Sequence, residues 1–490
     1  MPSRTTTALA VAAAVVLGLA VRLACWTGAI GSDDLTHAWA ATHLWDDPIE
    51  HGMPDGPGSP YTVNARRVGV NLPLAAAAAI AGPSEDAFAA ATLVESLLGI
   101  VACALFAGAL AGRRAAILGA ALAAACPVDA WQATIFLQDS LWAAGLAAAL
   151  AALVHGLTTG RHRWLGLAGA LLGYLQYVKE SASILVAALA LAGLVRSVRA
   201  RRIDRATVAL VAGAAAVQVL ACLYWWRAVG DPTYYVRAWL GRQTAMEATD
   251  AARPFPHNLV RLGLYLGYDL ALGLGLPVAA YFAVRWLRRG DAPARVRQDL
   301  ALIAVLQLAV LIHVLRWGAW TQRYLLQVTP VVIGLGAAGV ATAWPTATAA
   351  RRRIYAALIV ATTALGLVIG RPQHGRARAD VVRGAALAIG QRVPADAPVY
   401  VVMGPRPAHY ADRLLALLDR AHAARYGAIA DPRALTRGVL VWSHLERHRE
   451  RPEPPAGGRL VYEATSPSGR QWIEVYAIGM TGPSAAGAPR

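Results

Sequence analysis

Lysine is nearly missing from this chain of 490 residues: Lys179 stands alone among 46 Lys and Arg side chains. Arginine and alanine richness of this kind reflects a biased genome, so the net charge of +17 is no argument for a nucleic-acid partner. Cysteine is scarce too. Cys25, Cys103, Cys126 and Cys222 lie in apolar stretches without CxxC spacing, which excludes a disulfide framework and a cysteine-bound zinc site. Charged residues are only 15% of the chain against 57% hydrophobic, with a mean hydropathy of +0.43. That balance excludes a disordered chain and an ordinary water-soluble enzyme, and leaves a mainly α, polytopic helical membrane protein.

Residues 7–27 form an apolar run long enough to cross the ~30 Å hydrocarbon core. It reads as a retained first helix rather than a cleaved signal, because ten further hydrophobic segments follow and Arg22 interrupts its far end. Later spans are expected near 86–110, 115–136, 139–157, 164–178, 181–195, 206–226, 263–287, 300–315, 324–344 and 354–370, about eleven in all. Pro127 breaks the third, and Lys179 with Glu180 leaves the fifth and sixth short enough to be re-entrant.

Charge orients these spans. With Arg4 on the cytoplasmic side, the short connections holding Arg113–Arg114, Arg161 and Arg163, Arg196–Arg205, Arg285–Arg297 and Arg351–Arg353 fall there as well, which is the positive-inside asymmetry. Of the 19 carboxylates before residue 371, only Asp204, Asp291 and Asp299 fall in those connections. An odd span count then places the tail from Arg371 outside. The expected setting is the plasma (inner) membrane of a bacterium. Tryptophans near span ends, such as Trp26, Trp164, Trp225 and Trp344, read as interfacial anchors.

The outer loop 28–85 is where chemistry concentrates. Ser32 can cap a helix whose first turn holds Asp33 and Asp34, followed by Leu35, His37, Trp39 and Trp45 in an amphipathic order suited to the membrane surface. Two acids in a first turn can equally serve the helix dipole. After a Pro- and Gly-rich turn come Asn64, Arg66, Arg67 and an apolar piece, 70–82, too short to span. Acid on one surface helix and arginine on the other suit an acceptor that must lose a proton and an anionic leaving group.

Three features together resemble a known family: a first span ending in Arg22 and followed by the pair Asp33–Asp34, then Arg67, Gly69, Leu72 and Pro73, then QRYLLQVTPVVIGLGAAG at 322–339. In these the chain resembles the GT-C glycosyltransferases, in particular the protein O-mannosyltransferase and aminoarabinose-transferase group (glycosyltransferase families 39 and 83), over residues 1 to roughly 370. It departs from that pattern in having Asp-Asp where the family usually has Asp-Glu, and in lacking a Lys-Pro-Pro segment. The resemblance implies a GT-C-like transmembrane catalytic domain (1–370) that takes a sugar from a polyprenyl-phosphate donor and works on the outer side of the membrane. By the same resemblance Asp33 is the general base for the acceptor hydroxyl, Asp34 orients the acceptor or substitutes, and the anomeric carbon inverts.

Further candidates lie close to the spans. Lys179 suggests a local need for a compact cation, such as a site for lipid phosphate, against the plainer reading of a surviving lysine paired with Glu180. Asp139 resembles an acid found at that place in related enzymes and, with Glu180 and His37, is a candidate for substrate binding; the plainer reading makes it a helix cap beside Ser140. Arg67 and Arg323 are candidates for the donor phosphate, Arg323 because Tyr324 follows it in the family-like segment, with Arg261 and Arg316 behind them. Glu95 and Asp269 read as buried structural groups. His37, His43, His257 and His313 show no HExxH or three-ligand spacing, so a divalent metal stays open but has no motif behind it, and the sequence names no certain cofactor.

From Arg371 the long apolar runs end, and 371–490 reads as a small soluble α/β domain outside the membrane. Helices are expected at 381–393 and 409–426, strands at 398–403 and 438–443, a hairpin at 460–464 with 471–477, and a loop at 451–458. Acceptor docking or a lid is its expected role. The partners expected of the whole chain are the donor lipid, membrane lipid and an envelope glycan, lipid or protein acceptor. The rival readings are a multi-pass transporter or flippase, which lacks paired half-repeats and an ATP-binding motif, and a non-catalytic assembly protein presenting the outer domain.

Overall fold

The computed structural model describes residues 2–30, 33–45, 66–240, 275–289, 292–316, 322–369, 373–402, 415, 417–418, 425–429, 432–444, 457–466 and 472–480. Its helices are α1 (Arg4–Ala24), α2 (Asp33–Thr42), α3 (Val68–Ala81), α4 (Glu85–Ala124), α5 (Pro127–Gln132), α6 (Gln138–Thr159), α7 (His162–Leu175), α8 (Ala182–Ala200), α9 (Arg205–Val229), α10 (Gly275–Arg289), α11 (Ala294–Arg316), α12 (Thr329–Ala343), α13 (Ala349–Ile369) and α14 (Gln373–Arg392). Contacts divide the chain into two compact units. The first holds Met1–Trp26, His43–Pro73 and Ala91–Arg371, and the second Thr27–Thr42, Leu74–Ala90 and Pro372–Arg490. Ser32, His257, Arg261, Asp269, the turn 51–60, the loop 451–456 and most of the helix expected at 409–426 lie outside the described residues.

Six described helices are long and apolar enough to cross a membrane, among them α1, α4, α6, α8, α9 and most of α11. Local breaks account for the shorter pieces. At Ala111–Gly112 the backbone of α4 leaves the helical region, with Gly112 at a φ of +77° that only glycine adopts without strain, so the expected second and third spans meet at a turn carrying Arg113 and Arg114. Pro127 opens α5 at its first position, where its missing N–H costs nothing, and the third span is broken there. The fifth expected span is a helix of 14 residues and the sixth one of 19.

One core cluster of the first unit is rich in small side chains, Ala102, Cys103, Ala120, Ala123 and Ala147 among them, gathered around Ile100, Leu326 and Ile333. Without a hydrophobic drive inside lipid, helices associate through close van der Waals contact, which small residues permit. The α7–α9 pair is the clearest case. A Cβ on Gly169 would lie 1.8 Å from the Leu210 carbonyl oxygen, and one on Gly213 2.0 Å from that of Gly166.

Ion pairs and hydrogen bonds also show which connections share a face. Arg196 Nη1 lies 2.8 Å from Asp299, and Arg295 Nη2 2.7 Å from Asp204, so the connections 196–205 and 285–297 meet. Arg113 donates to the Pro2 carbonyl at 2.8 Å, which puts the first connection beside the amino terminus.

In the second unit α14 accompanies a mixed sheet of β1 (Val399–Val402), β2 (Tyr426–Ile429), β3 (Gly438–His444), β4 (Arg459–Thr465) and β5 (Trp472–Ile478), in the order β2-β1-β3-β5-β4. β1 runs parallel to β2 and β3, while β5 is antiparallel to β3 and β4. β5 is buried along its whole length, as a strand flanked on both sides should be. β2 falls where the end of a helix was expected; YGAI has no alternation, and its parallel pairing with β1 makes it a strand.

Helix α2 departs from the expected surface helix. Asp34, Leu35, Thr36, His37, Ala38, Ala40 and Ala41 are all buried, so burial runs round most of its circumference instead of along one stripe.

Candidate active site

In the first unit the site begins at a glycine. The chain at Gly69 runs so close to the end of α7 that a Cβ there would lie 2.9 Å from the Tyr177 backbone. The contact is fastened by Gly69 N–H donating to the Tyr177 carbonyl at 3.0 Å and by Tyr174 Oη donating to the Gly69 carbonyl at 2.5 Å. This anchors Arg67, whose Nη2 lies 3.1 Å from Glu180 Oε2. Arg66 beside it is also buried, and burial lowers its guanidinium below the usual range, opposed by Tyr234, Glu180 and Tyr235.

Lys179, in the connection between α7 and α8, reaches the other way. Its Nζ lies 2.5 Å from Asp139 Oδ1, with the two side chains 6% and 1% exposed. Arg323 Nε stands 3.9 Å from the other oxygen of Asp139, which accepts no hydrogen bond among the described residues. Both cations sit over the Tyr324 ring, Lys179 Nζ at 5.3 Å and the Arg323 guanidinium carbon at 5.6 Å from its centroid. Burial lowers the Lys179 pKa, Asp139 opposes that shift, and the charges of Arg323 and Arg67 reinforce it. Among the described residues Arg67, Lys179 and Arg323 thus gather around Asp139 and Glu180, and forked or compact cations of this kind suit an anion such as a phosphate.

These pairings correct two plainer readings. Lys179 is not paired with Glu180 but with Asp139, while Glu180 takes Arg67. Asp139 is not a helix cap: Leu137 occupies that position without a side-chain hydrogen bond, and Asp139 spends its charge on Lys179.

In the second unit Asp33 and Asp34 open α2, and their surroundings differ. Asp34 is fully buried and its Oδ2 accepts the Ile30 N–H at 2.7 Å, whereas Asp33 is partly exposed. His37 on the same helix is fully buried. The loop ahead of them is clamped. Gly28 takes a φ of +67°, and the space a Cβ would need is held by Glu85 Oε1. That oxygen accepts the Ala29 N–H at 2.7 Å and pairs with Arg383 of α14, whose Nη2 also donates to the Ala29 carbonyl at 3.1 Å.

Glu85 and Arg383 were not among the residues singled out from the sequence, and neither was Asp129. The last is the ion-pair partner of Arg22, which is 0% exposed and also donates to Ser96 Oγ at 2.6 Å and to the carbonyls of Gly18 and Ala124 at 3.1 and 3.0 Å. A wholly buried arginine in an apolar helix demands such partners, and that demand was the available signal. Among the described residues no group of three or more His, Cys, Asp or Glu is arranged to hold a metal.

Comparison with known proteins adds the family. Residues 69–226, which include Gly69, Asp139, Lys179 and Glu180, match the family described as dolichyl-phosphate-mannose-protein mannosyltransferase. No curated protein matches by sequence. Among solved structures, ArnT from Cupriavidus metallidurans bound to undecaprenyl phosphate is similar over 100% of both chains, with a TM-score of 0.61 and 16% identity. The oligosaccharyltransferase AglB from Archaeoglobus fulgidus, in complex with an inhibitory peptide and a dolichol-phosphate, aligns over 89% of this chain and 69% of its own, with a TM-score of 0.53 and 12% identity. The mycobacterial arabinofuranosyltransferase AftD aligns over 98% of this chain and 40% of its own, with a TM-score of 0.50 and 16% identity. The chain is a multi-pass membrane protein with the GT-C fold, and its mannosyltransferase-family segment identifies it as a membrane glycosyltransferase.

Proposed function

We propose that this GT-C membrane glycosyltransferase takes a sugar from a polyprenyl-phosphate-linked donor and transfers it, with inversion, to an acceptor on the outer side of a bacterial plasma membrane. Asp33 is the general base. It removes the acceptor hydroxyl proton as that oxygen attacks the anomeric carbon, the bond from that carbon to the phosphate oxygen breaks, and the lipid phosphate departs as an anion. Lys179, Arg323 and Arg67 bind that anion, while Asp139 and Glu180 hold the cations in place and bind sugar hydroxyls.

The observation that carries this reading is the gathering of Lys179, Arg323 and Tyr324 around Asp139, next to the Arg67–Glu180 pair. Buried cations gathered at the end of short apolar helices suit a lipid-borne phosphate. ArnT was solved with undecaprenyl phosphate and AglB with dolichol-phosphate, which supports the same class of donor here. Of the two acids, Asp33 is favoured because Asp34 is buried and already accepts the Ile30 N–H. Residues 1–370 form the catalytic domain and 371–490 an extracytoplasmic one, with the amino terminus in the cytoplasm.

The test is transfer from labelled polyprenyl-phosphate sugars to extracted envelope acceptors by purified wild type, Asp33→Asn and Asp34→Asn. Asp33→Asn is expected to lose about 100-fold or more of the rate, the usual contribution of a positioned base. Equal rates for all three proteins would remove both acids from the mechanism. Redistribution of lipid between leaflets without glycosylation would favour the flippase reading instead.

A further inference from the structure

At the ends of α7 and α8 away from Lys179 lies an open cavity of about 1100 Å³, lined by His162, Arg196, Arg199, Arg202, Arg205 and Arg295, with Asp204 the one carboxylate in its wall. α7 has 14 residues, so the two ends are roughly 20 Å apart at 1.5 Å per residue. The turn beside the cavity is held by hydrogen bonds. Arg201 adopts a left-handed φ of 48°, uncommon for a residue with a Cβ, and is held there by Arg201 N–H and Arg202 N–H bonding the Val198 and Ser197 carbonyls at 3.2 and 3.1 Å. Asp204 then caps α9 and receives Thr207 Oγ1 at 2.8 Å.

The arginines divide into two sets. Arg196 and Arg295 are committed to Asp204 and Asp299. Arg199, Arg202 and Arg205 make no ion pair among the described residues. Three guanidinium groups of one sign around a preformed cavity repel each other and attract an anion, and their forked donors match phosphate oxygens.

The rim says which kind of anion. Along α8, Leu191, Leu194, Val195 and Val198 are 61%, 58%, 41% and 69% exposed, a spacing of three, four and seven that makes one helix face, and Ile203 beside the cavity is 76% exposed. This apolar stripe on a membrane-spanning helix leads up to the arginines. Acyl chains would lie along the stripe and the headgroup would enter the cavity.

We infer that this cavity binds the headgroup of an anionic phospholipid, with a two-phosphate headgroup preferred, on the membrane face opposite the Lys179 cluster. Basic pockets between membrane helices are suited to such lipids.

The test uses full-length purified protein, stripped of lipid in detergent and titrated with diphosphatidylglycerol or phosphatidylcholine, with bound lipid read by native mass spectrometry. Wild type is expected to take up diphosphatidylglycerol in preference. The triple variant R199Q/R202Q/R205Q is expected to bind it at least tenfold more weakly, with an unchanged thermal midpoint and unchanged phosphatidylcholine binding. A second triple variant, R351Q/R352Q/R353Q, removes the same charge from a connection outside the cavity and is expected to stay within twofold of wild type. Equal weakening in both variants would mean nonspecific attraction to a basic face and would overturn the site. Equal binding by wild type and R199Q/R202Q/R205Q would do so directly. Inorganic pyrophosphate is the third arm: displacement of the lipid at equal concentration would make this a soluble phosphate site and sink the lipid assignment.

Discussion

Two charged clusters occupy opposite ends of α7 and α8, and they solve the problem of arginine and lysine in a membrane protein differently. Around Lys179 the cations are buried, and each carboxylate there is matched to a cation. Around Asp204 the side chains are half-exposed: Arg196 is 28% and Arg295 32% exposed, against 6% for Lys179. Burial forces pairing because an unmatched charge in a low-dielectric interior is costly, whereas contact with water allows an excess of one sign to stand. The difference teaches that the buried cluster is built to hold a definite geometry and the exposed one to offer charge.

The largest expected effect breaks the buried pair. Lys179→Met leaves the Asp139 carboxylate uncompensated and should cost about 3–5 kcal/mol of stability, read as a fall in the thermal midpoint of the detergent-solubilised protein. Adding Asp139→Leu should restore most of that stability but none of the transfer activity, which separates the structural role of the pair from its part in binding the donor. Recovery of both together would show that the pair is only a structural element.

Next comes Arg323→Ala, which removes a cation 3.9 Å from Asp139. Transfer should fall about 100-fold, the usual cost of one positioned donor to a developing anion, with the thermal midpoint nearly unchanged. Arg383→Ala should be milder. It loosens the loop at Thr27–Ala29 that precedes Asp33, and a drop on the order of tenfold in kcat is expected, since small misplacements of a reacting group are costly. Glu85→Gln, assayed in parallel, should lower kcat in the same direction, and unaltered kinetics in both variants would free the loop from any part in catalysis.

The exposed cluster gives the smallest effect, and it depends on pH. Burial pushes the Asp204 carboxyl up, but hydrogen bonds from Thr207, Arg295 and Arg196 and the charge of Arg295 outweigh it and bring the pKa down from 3.8 to about 2. A pKa depressed by folding stabilises the folded state above the unfolded value and ceases to do so as pH falls through the folded one. Wild type should therefore melt above Asp204→Asn at pH 7, and the gap should close as pH falls from about 4 to about 2. A gap independent of pH would mean that the cap on α9, and not the ion pairs, supplies the difference.

Much of this was legible in residues alone, for reasons that differ by element. The spans follow from apolar runs, the break in the third from Pro127, and the shared face of connections 196–205 and 285–297 from arginine counts, because each of these is a local property of chain and solvent, whereas the turn at Gly112 appears only in the fold. The hairpin of β4 and β5 was legible from alternation, whereas β2 was not, since YGAI becomes a strand only when β1 lies beside it. The candidate site divides along the same line. Asp33, Asp34 and Arg67 could be named from the outer loop and its family resemblance, Arg323 from the family-like segment and Lys179 from being the one lysine, but the carboxylate that Lys179 meets could not, because adjacency in sequence says nothing about which partner a side chain meets in a connection between helices.

Membrane-spanning character and the roster of groups too costly to bury without purpose are readable from the residues alone, because both follow from transfer free energies of individual side chains. Only the tertiary structure decided that Asp139 belongs to Lys179, that Asp129 neutralises Arg22, and that Glu85 and Arg383 hold the loop ahead of Asp33. Those are pairings across 40 to 298 residues of chain, and they depend on which helices lie side by side, a matter settled by close packing of small residues rather than by any local preference.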